Sequence, residues 1–142
     1  MYRPSVIPYQ WLVGSLYLTT QTHSVALPAP AVFQFTAPSN PDRHREALAV
    51  FHGVSTSDPS ITAIPDSAIG AHLYEAIARF LDGLNVPRGL KAIGYANKDI
   101  AGLVDGTIPQ RRVLDLAPGI GDIAGEDGRE HLTDIISRSM EY

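Results

Sequence analysis

At 142 residues the chain suits one domain, and its 44 % apolar and 18 % charged content is that of a globular protein. The net charge of −4 supplies no basic field for nucleic acid or an anionic membrane. The absence of cysteine excludes disulfides, thiolate metal sites and a cysteine nucleophile.

In chain order, residues 1–20 come first, MYRPSVIPYQWLVGSLYLTT. The longest apolar stretch there, Trp11 to Leu18, is far too short to cross a bilayer. With Arg3 ahead of it the run faintly resembles a signal peptide. Pro8 and Gln10 interrupt it and no clear cleavage site follows, so no targeting segment is expected. Ser24 to Ala37, SVALPAPAVFQFTA, is ambiguous. Val25, Val32, Phe33 and Phe35 favour strand, whereas Pro28 and Pro30 oppose both a central strand and a regular helix.

Four amphipathic helices follow. Asn40-Pro41-Asp42 is a helix start, with a capping amide, proline at the first position and an acid in the first turn. This helix is expected to reach about Phe51, with Gly53 beyond its end. In the second, Ile69, Leu73, Ala76, Ile77, Phe80, Leu81 and Leu84 form one stripe of a 3.6-residue helix, capped by Asp66 and stopped by Pro87. Tyr74 and Phe80 read as core or rim packing. The third starts at Asn97, carries Ile100, Leu103, Val104 and Thr107 on one face, and closes at Pro109. The fourth spans roughly Asp127 to Met140, with Leu132, Ile135, Ile136 and Met140 inward. No run alternates cleanly with period two, so the expected fold class is all-α, an antiparallel bundle of about five helices with the two-proline segment as its first.

Val113 to Gly121, VLDLAPGIG, looks like the start of a nucleotide loop, and with Ala124 it fits G-x-G-x-x-A. Such a loop must join a buried strand to a helix and needs further βα units, for which the remaining chain has no room. The plainer reading is that VLDLAP packs along the surface and GIGDIAGEDG is a flexible linker. Asp115 is then a solvated or capping carboxylate. Arg111 and Arg112 read as a solvated pair at a helix end or an interdomain salt bridge, in preference to a grip on an acidic substrate.

The blocks SVALPAPAVFQFTAPSNPDRHREA, FLDGLNVPRGLKAIGY, KDIAGLVDGTIPQRRVLDLAP and GREHLTDIISRSMEY, in that order, resemble the C-terminal end of the iron-containing alcohol dehydrogenase family, in its hydroxyacid–oxoacid transhydrogenase branch. The resemblance covers about Gln21 to Tyr142 and divides the chain into a divergent, poorly ordered 1–20 and a helical C-terminal domain fragment, 21–142. It implies the C-terminal half of the helical metal-binding domain, with Ser24 to Ala37 helical despite its prolines. It also implies an upstream α/β domain for nicotinamide and hydride transfer between 4-hydroxybutyrate and 2-oxoglutarate at a divalent iron or zinc, usually in mitochondria.

Aligned without gaps on Pro30-Ala31-Val32-Phe33, the family's last histidine ligand falls on Gln21, with Thr20 and Thr22 in place of its flanking proline and glycine. The other family ligands lie upstream of the match. His23 is two residues from that position, about 200° around a helix, and points elsewhere. His44, His52, His72 and His131 are scattered and read as surface or partly buried residues. No catalytic, cofactor-binding or metal-ligating residue is therefore assigned to this chain. No bound iron, zinc or NAD is expected for it alone, and it is expected to be inactive as a truncated or partial form. The expected partners are a full-length relative or a second copy, met through exposed apolar faces. The competing reading is a stand-alone helical interaction module that pairs with a full-length relative; a methyltransferase is a distant third.

Overall fold

The computed structural model describes residues 25–123 and 125–142. Among the described residues seven complete α-helices follow one another: α1 Ala29–Thr36, α2 Pro41–His52, α3 Pro59–Thr62, α4 Asp66–Gly83, α5 Ile100–Thr107, α6 Arg111–Leu114 and α7 Glu126–Arg138. Single 3₁₀ turns lie over Ala37–Ser39, Leu90–Ile93 and Asn97–Asp99. There is no strand among the described residues. The fold is all-α, and five of its helices have eight or more residues.

The two-proline segment is helical. Pro28 takes the N-cap position and Pro30 lies in the first turn, where a missing N–H costs nothing because that turn has no intrahelical acceptor to serve. Propensity misjudged the segment because it penalises proline without regard to position. In α2 the Asn40 side chain accepts from Arg43 N at 3.2 Å, and Gly53 closes the helix at φ 67°.

Two boundaries of α4 differ from expectation. Pro65, extended at ψ 149°, holds the N-cap position, and Asp66 is the first helical residue. Its carboxylate pairs with Arg45 instead of capping. At the other end α4 stops at Gly83, where Asn85 turns left-handed at φ 56°, so Pro87 lies past a helix that has already ended. The predicted stripe holds for Ile69, Leu73, Ile77 and Leu81, all buried. Phe80 and Leu84 continue the pattern in sequence but are 53 % and 58 % exposed, because α2 no longer covers that end of α4. Phe80 packs edge-on against Phe51, their ring centres 5.5 Å apart, at the rim.

A first core joins Leu48, Ile61, Ile69, Leu73, Ile77 and Leu81 between α2, α3 and α4. A second joins Ala31, Val104, Leu114, Ile120, Ile123, Leu132 and Ile135 between α1, α5 and α7. That second core corrects the reading of the GIGDIAGEDG segment as a flexible linker, since Ile120 and Ile123 are 4 % and 2 % exposed and anchor it inside. VLDLAP lies along the surface as expected, with Val113 49 % and Leu116 83 % exposed and only Leu114 buried. The glycines of GIGDIAGEDG masked a pair of isoleucines three residues apart that a single turn brings inward. A smaller cluster of Leu27, Leu90 and Met140 docks the C-terminal residues. Leu90 N and Lys91 N donate to Ser139 O and Met140 O, each at 2.9 Å. Only glycine fits at position 89. Its φ is 73°, and a Cβ there would lie 2.5 Å from Met140 O.

Candidate functional site

Among the described residues a cleft of about 460 Å³ lies between α1, α5, α6 and α7. A cleft of this size suits a small ligand or a few apolar side chains. Val32, Phe33, Leu103, Leu114, Ile120 and Ile136 supply much of its wall. Amphipathic periodicity puts Val32, Phe33, Leu103, Leu114 and Ile136 there from their helices, and Ile120 comes from the loop before α7.

Three hydroxyls also reach the wall, and each already has a hydrogen-bond partner. Thr36 Oγ1 lies 3.1 Å from Val32 O, Thr107 Oγ1 donates to Leu103 O at 2.8 Å, and Ser139 Oγ donates to Ile135 O at 2.7 Å. Among the described residues no carboxylate, imidazole or ammonium lines the cleft. The site can bury apolar surface. It offers nothing that would move a proton, attack a carbon or orient a phosphate.

The histidines do structural work. His44 Nδ1 is 2.8 Å from Asn40 O, and because a carbonyl only accepts, that nitrogen carries the hydrogen. Nε2 then meets Thr36 Oγ1 at 2.9 Å, which ties α2 to the end of α1. His131 Nδ1 likewise donates to Ile120 O at 3.0 Å and tilts against Phe35, ring centres 5.2 Å apart, fastening the loop before α7. His52 and His72 are exposed on separate helices. Among the described residues no three His, Asp or Glu converge on a point, so these residues do not fit an iron or zinc centre, which needs at least three protein ligands. Gln21 and His23 lie outside the described residues.

Arg111 Nε pairs with Asp115 Oδ1 at 3.0 Å, one turn along, and both side chains are about half exposed. Asp115 thus serves its own helix end and no ribose. Arg112 is exposed beside it. Gly119 and Gly121 are left-handed, φ 80° and 76°, and link a helical turn to the buried Ile120 and Ile123. Tyr74 donates to Arg138 O at 3.2 Å and meets Tyr142 edge-on at 5.8 Å, and burial pushes both hydroxyls above their ordinary 10.0.

Sequence reasoning missed Arg45. Its side chain is 16 % exposed, and its guanidinium donates to Ile61 O and Ile64 O, 2.8 Å each, as well as to Asp66. Nothing in the spacing of charges marks an arginine that binds backbone carbonyls 16 and 19 residues away.

Comparison with known proteins gives the chain its relationship. Over 95 residues it is 50 % identical to a Dictyostelium discoideum protein named probable hydroxyacid-oxoacid transhydrogenase, mitochondrial. Over the same length it is 45 % identical to the mouse and 43 % to the human mitochondrial hydroxyacid-oxoacid transhydrogenase. Over those residues the chain is similar to the hydroxyacid-oxoacid transhydrogenases. The matched residues make up 67 % of this chain but only 16 % of the Dictyostelium protein and 19 % of the mouse and human ones. The chain therefore spans well under two thirds of the length of the proteins it matches. No family model and no solved structure matches it.

Proposed function

We propose that this chain is the C-terminal helical portion of an oxidoreductase like the hydroxyacid-oxoacid transhydrogenases, one that passes hydride between 4-hydroxybutyrate and 2-oxoglutarate in mitochondria. The observation that carries the reading is identity of 43–50 % over 95 residues to proteins of that name. The all-helical fold agrees with the helical half of the metal domain in the iron-containing alcohol dehydrogenases that the sequence resembles. The chain's own contribution is architectural. Its described cleft wall is apolar, His44 ties two helices together and His131 fastens a loop, so on this reading the metal, the nicotinamide and the proton transfers belong to other parts of such an enzyme.

The isolated chain is therefore inactive. Purified without a tag and assayed for hydride transfer from 4-hydroxybutyrate to 2-oxoglutarate, it gives no turnover above the blank, and elemental analysis finds far less than one iron or zinc per chain. Turnover, or near-stoichiometric metal, contradicts this. Gln21→His does not create activity, because a single imidazole is not a metal centre.

One observation favours a second reading, a helical module that pairs with a full-length relative. Val50, Phe51, Phe80 and Leu84 are 78 %, 41 %, 53 % and 58 % exposed along the ends of α2 and α4. Co-purification with a full-length transhydrogenase, abolished by Phe80→Lys, supports that reading; failure to co-purify removes it.

A further inference from the structure

We propose that this chain associates with copies of itself head to tail, an apolar knob on one copy seated in the apolar cleft of the next. The knob is made by Phe51 at the end of α2 and by Phe80 and Leu84 at the end of α4. Phe51 and Phe80 meet edge-on, ring centres 5.5 Å apart, and Leu84 follows Phe80 by one turn. All three are exposed, which leaves two rings and an isobutyl group facing water at one end of the helix pair. The cleft matches this knob in chemistry and in size. Its wall is apolar and its three hydroxyls already have partners, so an occupant need bring no polar group. A dry cavity of about 150 Å³ takes up one benzene ring. At about 460 Å³ the cleft has room for two phenyl rings and an isobutyl group. Val32, Phe33 and Val113 on its wall are exposed, so the wall is open to a neighbour.

The knob sits at the ends of α2 and α4, and the cleft lies between α1, α5, α6 and α7, so the two faces share no helix and the knob fills the cleft of another copy. At about 200 Å² for a whole phenylalanine, rings 41 % and 53 % exposed present about 190 Å². A symmetric knob-to-knob pair would bury little more than that and Leu84 from each copy, far below the about 800 Å² per partner of a standard interface. Insertion also buries the wall of the cleft, and it leaves neither apolar face in water. Because the two faces differ, the contact is heterologous and propagates into chains instead of closing as a dimer. The same knob serves the second reading above, where its partner is a full-length relative. Here the partner is a second copy, so the pure chain decides the question with no relative present.

Sedimentation of the full chain across a wide range of protein concentration tests the contact. The average mass is expected to climb past that of a dimer as concentration rises. Two variants break the contact from opposite sides. Phe80→Glu with Leu84→Glu removes the knob, and Val32→Glu places a carboxylate on the cleft wall. Each alone stays monomeric, with helical circular dichroism retained. Mixed in equal amounts they form a one-to-one dimer and grow no further, because one intact knob and one intact cleft remain. The substitutions add the same sign of charge, so an ion pair between them cannot produce that dimer. If Val32→Glu fails to fold, Val113→Glu on α6 takes its place. A monomer at every concentration, as a cleft covered by another occupant would give, overturns the proposal. So does a dimer that the knob variant abolishes and the cleft variant leaves intact, which assigns the knob to a symmetric pair. So does a mixture of the two variants that remains monomeric.

Discussion

Arg45 shows how one side chain can hold two elements in register. Its donors satisfy the carbonyls of Ile61 and Ile64 where the chain turns from α3 into α4, and its third contact takes Asp66 at the start of α4. Arg45→Ala leaves those carbonyls without their partner and lowers unfolding stability by about 1–3 kcal/mol in urea titration. Arg45→Lys recovers only part of the loss, because an ammonium lacks the planar fork that reaches several acceptors at once. Acid response is set by exposed carboxylates. Hydrogen bonding to Arg88, Lys91 and Ser60 holds Asp82, Glu141 and Asp58, respectively, below their ordinary values. A carboxyl more acidic in the fold than in the unfolded chain contributes stability that is present above its ordinary pKa and lost as pH falls through its folded pKa. The urea midpoint is therefore lower at about pH 3 than at about pH 7, and Asp82→Asn narrows the difference. An unchanged midpoint across that range contradicts the assignment. Tyr74 and Tyr142 act in the other direction, since hydroxyls raised by burial are stabilising below their ordinary 10.0 and lose that contribution as pH climbs past it.

At the scale of elements, packing of α4 against α1 and α2 dominates, and Gly70 permits the close approach. A Cβ at that position would lie 2.8 Å from Gln34 O and 3.1 Å from Ala37 Cβ, both in or next to α1. Gly70→Ala therefore costs about 1–3 kcal/mol by forcing the helices apart, even though alanine is the better helix former. Leu73→Ala, at a fully buried position, costs about 2–5 kcal/mol. Equal stability of either variant and the parent, measured by denaturant unfolding, would contradict this packing. How much of these elements could be read from sequence depended on how local their causes are. Asn40, Pro41 and Gly53 act within one helical turn of their own position, and α2 was legible to within a residue. The stripe of α4 was legible for the same reason, while its two ends were settled by neighbours: Arg45 recruits Asp66, and the left-handed Asn85 ends the helix before Pro87 can. Helical α1 came from the resemblance, since Pro28 and Pro30 hide a helix start from propensity. Ile120 and Ile123 were misplaced because the surrounding Gly119, Gly121 and Gly125 resemble a linker, and burial by α7 is a tertiary fact. The cleft was invisible for a similar reason, as its walls come from four helices and no single segment bears its pattern.

Across the described residues, two cores and a docked C-terminus make a helical unit, and on the proposed function that unit contributes shape and packing. His44 joins two helices through Thr36, His131 holds the loop before α7 through Ile120 O, and the described wall of the cleft is apolar. A portion of this kind is expected to be interchangeable with the corresponding portion of a relative, because what it must supply is shape and packing. The most direct measurement is the turnover of a chimera in which residues 25–142 replace the matching C-terminal part of the mouse mitochondrial hydroxyacid-oxoacid transhydrogenase, with every upstream residue left as it is. The account predicts that this chimera transfers hydride from 4-hydroxybutyrate to 2-oxoglutarate at a rate within about tenfold of its parent, equivalent to no more than about 1.4 kcal/mol of lost transition-state stabilisation. A soluble, folded chimera with no turnover would contradict it.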